Sequence, residues 1–294
     1  SVHVEGGFWG PRLQTNRERT LFSQYRQLKE TGRIDAFLLD WRPGKEPKPH
    51  YFWDSDVAKW LEAACYSLAT HPDPRLRELV DEVAHKIVGA QQPDGYLNVY
   101  FTVVEPENRW KSLEVHHELY CAGHLMEAAV AHHQATGERL LLDAMIRYAD
   151  YIDSVFGPDP GKRAGTCGHE EIELALVKLY HATGERRYLK LSQFFLDQRG
   201  QKPSVFQREH PEGTPPLDTS WCQDHMPVRE QSEVVGHAVR AMYLYSAMAD
   251  VAAETGDEAL LRACQRLWSN LELKRMYVTG GVGSTAHHEG FTHD

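Results

Sequence analysis

The stretch "GHLMEAAVAHHQATGERLLLDAMIRYADYI", residues Gly123 to Ile152, decides the fold. Apolar residues recur at three- and four-residue spacing on both sides of "ATGE", the pattern of two amphipathic helices joined by a tight turn. Leu141, Met145, Tyr148 and Ile152 form the inner stripe of the second helix. In the turn, glycine supplies a left-handed residue and the following acid starts the next helix. The plan returns twice. Gly-His opens an apolar helical pattern again at "GHEEIELAL" from Gly168 and at "GHAVRAM" from Gly236, and "ATGERRYL" from Ala182 and "ETGDEALL" from Glu254 repeat the turn.

An earlier pair follows the same logic. "DSDVAKWLEAACYSL" puts Val57, Trp60, Leu61, Ala64 and Leu68 on one face, with Asp54 or Ser55 as the N-cap. "DPRLRELVDEVAHKIVGAQ" does the same with Leu76, Leu79, Val80, Val83 and Ile87. Strand-like alternation is nearly absent. Hairpins repeated in this way stack into one continuous helical array, so a single all-α domain over residues 1–294 is expected. Stacking brings equivalent residues to one surface. His124, His169 and His237 are therefore expected at matching positions near helix N-termini, facing a shared groove or pocket. Gly-His as a local helix-start signal, with the histidine capping or packing, is the competing expectation for each residue taken alone.

Three connections are too long to be passive: "RPGKEPKPHYFW" from Arg42, "QQPDGYLNVYFTVVEPENRW" from Gln91, and the Pro- and aromatic-rich stretch from Arg199 to Val228. The tail, "MYVTGGVGSTAHHEGFTHD" from Met276, loses the helical stripe. Its glycines permit close backbone approach to a ligand, and Glu289 beside His287 and His288 is a candidate proton-transfer group.

Composition sets the outer limits. A formal charge of -10 gives no electrostatic footprint for nucleic acid or anionic lipid, and no apolar run has the length of a membrane span. No signal peptide is seen at the N-terminus. The 5 cysteines, Cys65, Cys121, Cys167, Cys222 and Cys264, are odd in number and widely spaced, which suits reduced thiols in a cytoplasmic compartment. Cys222 and His225 have zinc-compatible spacing but no partner pair nearby.

Several motifs together resemble the beta-L-arabinofuranosidases of glycoside hydrolase family 127: "GGFWGPR" from Gly6, "QYRQLKETGRI" from Gln24, "WDSDVAKWLEAA" from Trp53, "QQPDGYLN" from Gln91, "HHELYCAGHLMEAAVA" from His116, "GHEEIELALVKLY" from Gly168 and "YVTGGVGS" from Tyr277. The resemblance runs over essentially the whole chain. It implies an (α/α)6 barrel, incomplete at its C-terminal end and without the family's β-sandwich domains. It implies a carbohydrate substrate, with His124, His169, His237 and Gln24 matching sugar contacts and Glu289 matching the general acid/base. It also implies zinc and a cysteine nucleophile, but their motifs would fall after Asp294, so no metal ligand and no nucleophile is carried onto this chain. The chain is accordingly expected to be a fragment of a retaining glycosidase, with Glu289 held at a raised pKa by partial burial. A toroid lyase or hydrolase of another chemistry and a non-catalytic sugar-binding protein are the rivals. Oligomeric state stays open.

Overall fold

In a computed structural model of the chain, Val4, residues 6–215 and residues 217–292 are described. Every regular element among them is helical. The helices are α1 (Gly10–Thr15), α2 (Leu21–Glu30), α3 (Trp53–Thr70), α4 (Pro74–Gly89), α5 (Tyr100–Val103), α6 (Glu118–Thr136), α7 (Leu140–Val155), α8 (Ile172–Thr183), α9 (Arg186–Gln198), α10 (Ala238–Thr255) and α11 (Glu258–Asn270). The only β pairing among the described residues is two isolated bridges, Phe156 with Arg163 and His237 with Gly290. The expected all-α fold class is borne out. No described helix is long and apolar enough to cross a membrane.

The chain divides into two compact units, one of Ser1–Arg109 with His124–Tyr148, the other of Trp110–Gly123 with Ala149–Asp294. In the first, α3 and α4 pack as the hairpin expected. Val57, Trp60, Leu61 and Ala64 are buried on α3, and Leu76, Val80, Val83 and Ile87 on α4, while Leu68 and Leu79 sit at the margin. Each of the larger aliphatic side chains so buried contributes about 1.5–3 kcal/mol. Asp73 caps α4 by accepting from the Arg75 and Leu76 N–H groups, and Pro74 follows at a position where no N–H is needed.

Capping of α3 differs from expectation. The helix starts at Trp53, so Asp54 and Ser55 lie inside its first turn, both buried. The Asp54 carboxylate instead accepts the Val99 N–H at 2.9 Å, which ties the second long connection to the helix. The first two long connections also meet through Tyr51 and Tyr100, whose rings are edge-on at 6.0 Å.

The second unit packs α8, α9, α10 and α11 around Val177, Leu189, Leu196, Leu244, Met248, Val251, Leu260 and Leu267. Gly184 and Gly256 are left-handed at φ 76° and 70°, ending α8 and α10 as the repeated turns require. The connection from Arg199 to Val228 is a built element. Asp224, fully buried, accepts the Gly200 N–H at 2.5 Å and the Ser204 hydroxyl, and the Glu209 carboxylate takes the Leu113 and Glu114 N–H groups at 2.7 and 3.0 Å.

Candidate active site

The second unit gathers His169, His237 and Glu289. His237 is the N-cap of α10, and its Nδ1 accepts the Arg240 N–H at 3.3 Å. A nitrogen that accepts carries no proton in the neutral ring, so Nε2 holds it. That Nε2–H donates to Glu289 Oε2 at 3.0 Å. Burial first, then the Arg240 cation, hold the His237 pKa below the ordinary histidine value, against the pull of Glu289.

His169 precedes α8 and is 8% exposed. Its Nδ1 lies 3.1 Å from the Glu170 carbonyl, which only accepts, so Nδ1 carries the proton and Nε2 is left as an acceptor. Burial, with Arg240 and His117 nearby, depresses its pKa strongly, so the ring is neutral. Its ring centre lies 4.1 Å from that of Tyr120 and 5.6 Å from that of His237, with Tyr243 at 6.2 Å. Trp221 adds a further aromatic face, 6.1 Å from His237, with the Arg240 guanidinium stacked 3.7 Å over it. Aromatic faces beside polar ring nitrogens suit a ligand with apolar C–H faces and many hydroxyls.

Glu289 reaches this cluster on a strained segment. His288 and Glu289 have φ of 61° and 51°, a left-handed pair without glycine that costs about 1–2 kcal/mol per residue. The segment is pinned on both sides. The Phe291 N–H donates to the Gly236 carbonyl at 2.9 Å, the Ser284 N–H to the Gly290 carbonyl at 3.0 Å, and the Trp221 indole N–H to the His288 carbonyl at 3.2 Å. The partial burial expected of Glu289 is not found, since its side chain is 77% exposed. Its neighbours along the tail are themselves mostly exposed, so the loop presents the carboxylate outward past His237.

His124 and Gln24 belong to the other unit. His124 sits inside α6, well past its first turn, because the helix already begins at Glu118, whose carboxylate takes the Trp110 N–H at 2.7 Å. The expected matching position near a helix N-terminus therefore holds for His169 and His237 and not for His124. His124 is buried, with Nδ1 3.6 Å from Glu127 Oε2. Gln24 is exposed on α2 and lines a groove with Gln27, Asp56, Lys59 and Trp60, of which His124 is not a part.

None of the 5 cysteines is in a disulfide. Burial pushes Cys65 and Cys222 up to about 12 and Cys264 to about 11, and holds Cys167 well above the ordinary thiol value, so these four are protonated thiols. No cluster able to hold a metal among the described residues contains a cysteine, and Cys222 and His225 join none. Asp81, His132 and Glu138 place one ligand atom each within 4.8 Å of one another. Both of those carboxylates, however, are paired with the Arg77 guanidinium, at 2.7 Å for Asp81. A zinc-thiolate centre therefore does not fit the described residues.

Sequence reasoning missed Trp221, Tyr120, Tyr243, Arg240 and Gln223. Gln223 donates to the Val235 and His237 carbonyls at 2.8 and 3.2 Å and so fixes the turn into α10. An arginine within the otherwise apolar start of "HAVRAM" was the available signal for Arg240.

The family model for the beta-L-arabinofuranosidase GH127 catalytic domain matches residues 1–294. The chain is 44% identical over 257 residues to a non-reducing end beta-L-arabinofuranosidase of Bifidobacterium longum subsp. longum, a match covering 83% of this chain and 39% of that protein. It superposes with a TM-score of 0.94 on a GH127 beta-L-arabinofuranosidase from Geobacillus stearothermophilus T6, at 48% identity, covering 100% of this chain and 48% of the other. A second GH127 beta-arabinofuranosidase matches with a TM-score of 0.90 and 42% identity, over 100% of this chain and 46% of the other. The chain thus spans less than half the length of these relatives. With the whole sequence matched and the helical framework shared, the chain belongs to the GH127 beta-L-arabinofuranosidase catalytic-domain family.

Proposed function

We propose that this chain supplies the acid/base carboxyl and the sugar-holding side chains of a retaining glycosidase that releases terminal β-L-arabinofuranosyl groups. The observation that carries the proposal is the His237 Nε2–H to Glu289 Oε2 hydrogen bond at 3.0 Å, set beside the Trp221, Tyr120 and His169 rings. Glu289 protonated would donate to the leaving glycosidic oxygen. As carboxylate it would then accept a proton from the water that frees the sugar. His237, locked with Nε2 protonated, orients that carboxylate and can release it when the substrate oxygen arrives. His169 and His237 are the proposed sugar contacts of the second unit, and His124 and Gln24 are those proposed on the first. A reducing, cytoplasmic setting accords with 5 cysteines that form no disulfide. No residue here is assigned the nucleophile.

Calorimetric titration with an aryl β-L-arabinofuranoside tests the proposal on the chain as it stands. Saturable binding that weakens at least tenfold in His237→Ala and in His169→Ala is expected, about the worth of one to two hydrogen bonds. Binding unaffected by either substitution would sink it. Binding without turnover under any metal condition would favour a sugar-binding protein. Turnover indifferent to chelators but abolished in Glu289→Gln would favour a toroid enzyme of another chemistry.

A further inference from the structure

Arg199 closes α9 and opens the long connection, and its side chain is 0% exposed. Its Nη1 donates to the Cys222 carbonyl at 2.6 Å and lies 2.9 Å from Glu170 Oε1. Its Nη2 donates to the Cys167 carbonyl at 2.7 Å, to the Thr166 hydroxyl at 3.1 Å and to Glu173 Oε1 at 3.3 Å. One planar cation thus grips two chain segments far apart in sequence. Each leads directly to a site histidine.

Cys167 passes through Gly168 to His169, and the Gly168 carbonyl is held by Arg240. The residue whose carboxylate Arg199 pairs, Glu170, offers its own backbone carbonyl to His169 Nδ1. On the other segment, Cys222 follows Trp221, whose carbonyl accepts the His237 N–H at 3.0 Å. Arg199 therefore braces the segment whose carbonyl sets the His169 tautomer, and through Cys222 it braces the carbonyl that holds the His237 backbone, while the His237 tautomer itself is set by the Arg240 N–H at Nδ1. The outcome is opposite for the two rings: Nε2 of His169 is an acceptor, and Nε2 of His237 is a donor.

We propose that Arg199 is a positioning residue that holds His169 in the tautomer complementary to that of His237, so that the site offers an accepting ring nitrogen beside the His237 Nε2–H to neighbouring hydroxyls of a furanose. The sugar half of this inference rests on the function proposed above. Lysine could not replace Arg199, because a rotating ammonium lacks the flat fork that reaches two carbonyls and two carboxylates at once.

The test uses the full chain with ¹⁵N-labelled histidine and long-range ¹H–¹⁵N spectra, which report ring tautomers directly. Wild type should show His169 protonated at Nδ1 and His237 at Nε2. Arg199→Lys should turn the His169 pattern into a tautomer mixture and weaken binding of the aryl arabinofuranoside by about tenfold, as for a lost hydrogen bond. A purely structural role would lower the unfolding midpoint and leave both tautomers as they were, which overturns the proposal. If the lysine variant does not fold, Thr166→Val carries the test by removing one anchor of Nη2. It should perturb His169 and spare His237, whose segment Nη1 still holds, and an unchanged His169 pattern overturns the proposal. Tautomers that respond to Arg199→Lys in a chain whose sugar binding ignores His169→Ala and His237→Ala would keep the positioning role and overturn the sugar reading alone.

Discussion

Gly236→Ala and Gly256→Ala form a matched pair that separates two reasons for needing glycine. Both positions are left-handed, with φ of 73° and 70°. A methyl group at Gly256 meets nothing within 4 Å, so its substitution should cost only the backbone term, about 1 kcal/mol. A methyl at Gly236 would overlap the Ser220 carbonyl oxygen and come within 2.8 Å of Trp221 Cα. These are backbone atoms, so relief requires the turn itself to move. Two hydrogen bonds go with it, His237 N–H to Trp221 at 3.0 Å and Phe291 N–H to Gly236 at 2.9 Å. At about 1 kcal/mol each, the expected loss for Gly236→Ala is about 3–4 kcal/mol. For a chain of this size that is a fall in Tm of roughly 6–10 °C, against about 2–3 °C for Gly256→Ala. Thermal unfolding followed by far-ultraviolet circular dichroism would read both. Two variants within 1 kcal/mol of each other would refute the claim that the close approach, rather than the dihedral angle, is what position 236 demands.

Glu170 gives a pH signature. Burial, opposed by Arg199, pushes its carboxyl from 4.5 up to about 8. A carboxyl raised in the fold contributes stability below its unfolded value and loses it as the pH climbs through the folded one. Wild-type stability should therefore decline between about pH 5 and pH 8 by up to about 1.4 kcal/mol per unit from this group, and Glu170→Gln should flatten the decline in urea unfolding. Equal slopes in the two proteins would contradict it. At the start of α11, Asp257 accepts the Leu260 N–H at 2.9 Å and meets the half-buried Arg229 at 2.7 Å. Asp257→Ala should cost about 1–2 kcal/mol and Asp257→Asn about half that, since asparagine keeps the cap; equal losses by denaturant titration would show that the cap contributes nothing.

The helices were legible because each states its own period. Leu141, Met145, Tyr148 and Ile152 are all fully buried, as one stripe at helical spacing must be when it meets a neighbour. The turns were legible because φ near 70° to 76° at Gly137, Gly184 and Gly256 leaves little choice of residue. The start of α3 was not, because Asp54 and Ser55 have the chemistry of caps and the deciding contact, the Val99 N–H, comes from a distant connection. The exposure of Glu289 was hidden for the same reason: how far a loop stands off the body is set by its partners, Gly236, Trp221 and Gly290, and by no property of "HHEG" itself.

The three Gly-His pairs show how one dipeptide can recur for one shared reason and several separate ones. What they share is the glycine. A methyl at Gly123 would come within 2.6 Å of Glu171 Cγ, at Gly168 it would overlap the Glu114 carbonyl, and at Gly236 the Ser220 carbonyl. In each case a neighbouring segment passes where only hydrogen fits. The histidines then diverge, because each is set by the groups that follow it. His124 continues a helix begun earlier, His237 caps one through Nδ1, and His169 turns its Nδ1–H onto the next residue's carbonyl. Repetition in the sequence therefore marked where backbones crowd together. The chemistry at each histidine had to be read from its own hydrogen bonds, and those bonds give the two rings of the second unit opposite polarity at Nε2, which is what a donor-and-acceptor grip on a hydroxylated ligand requires.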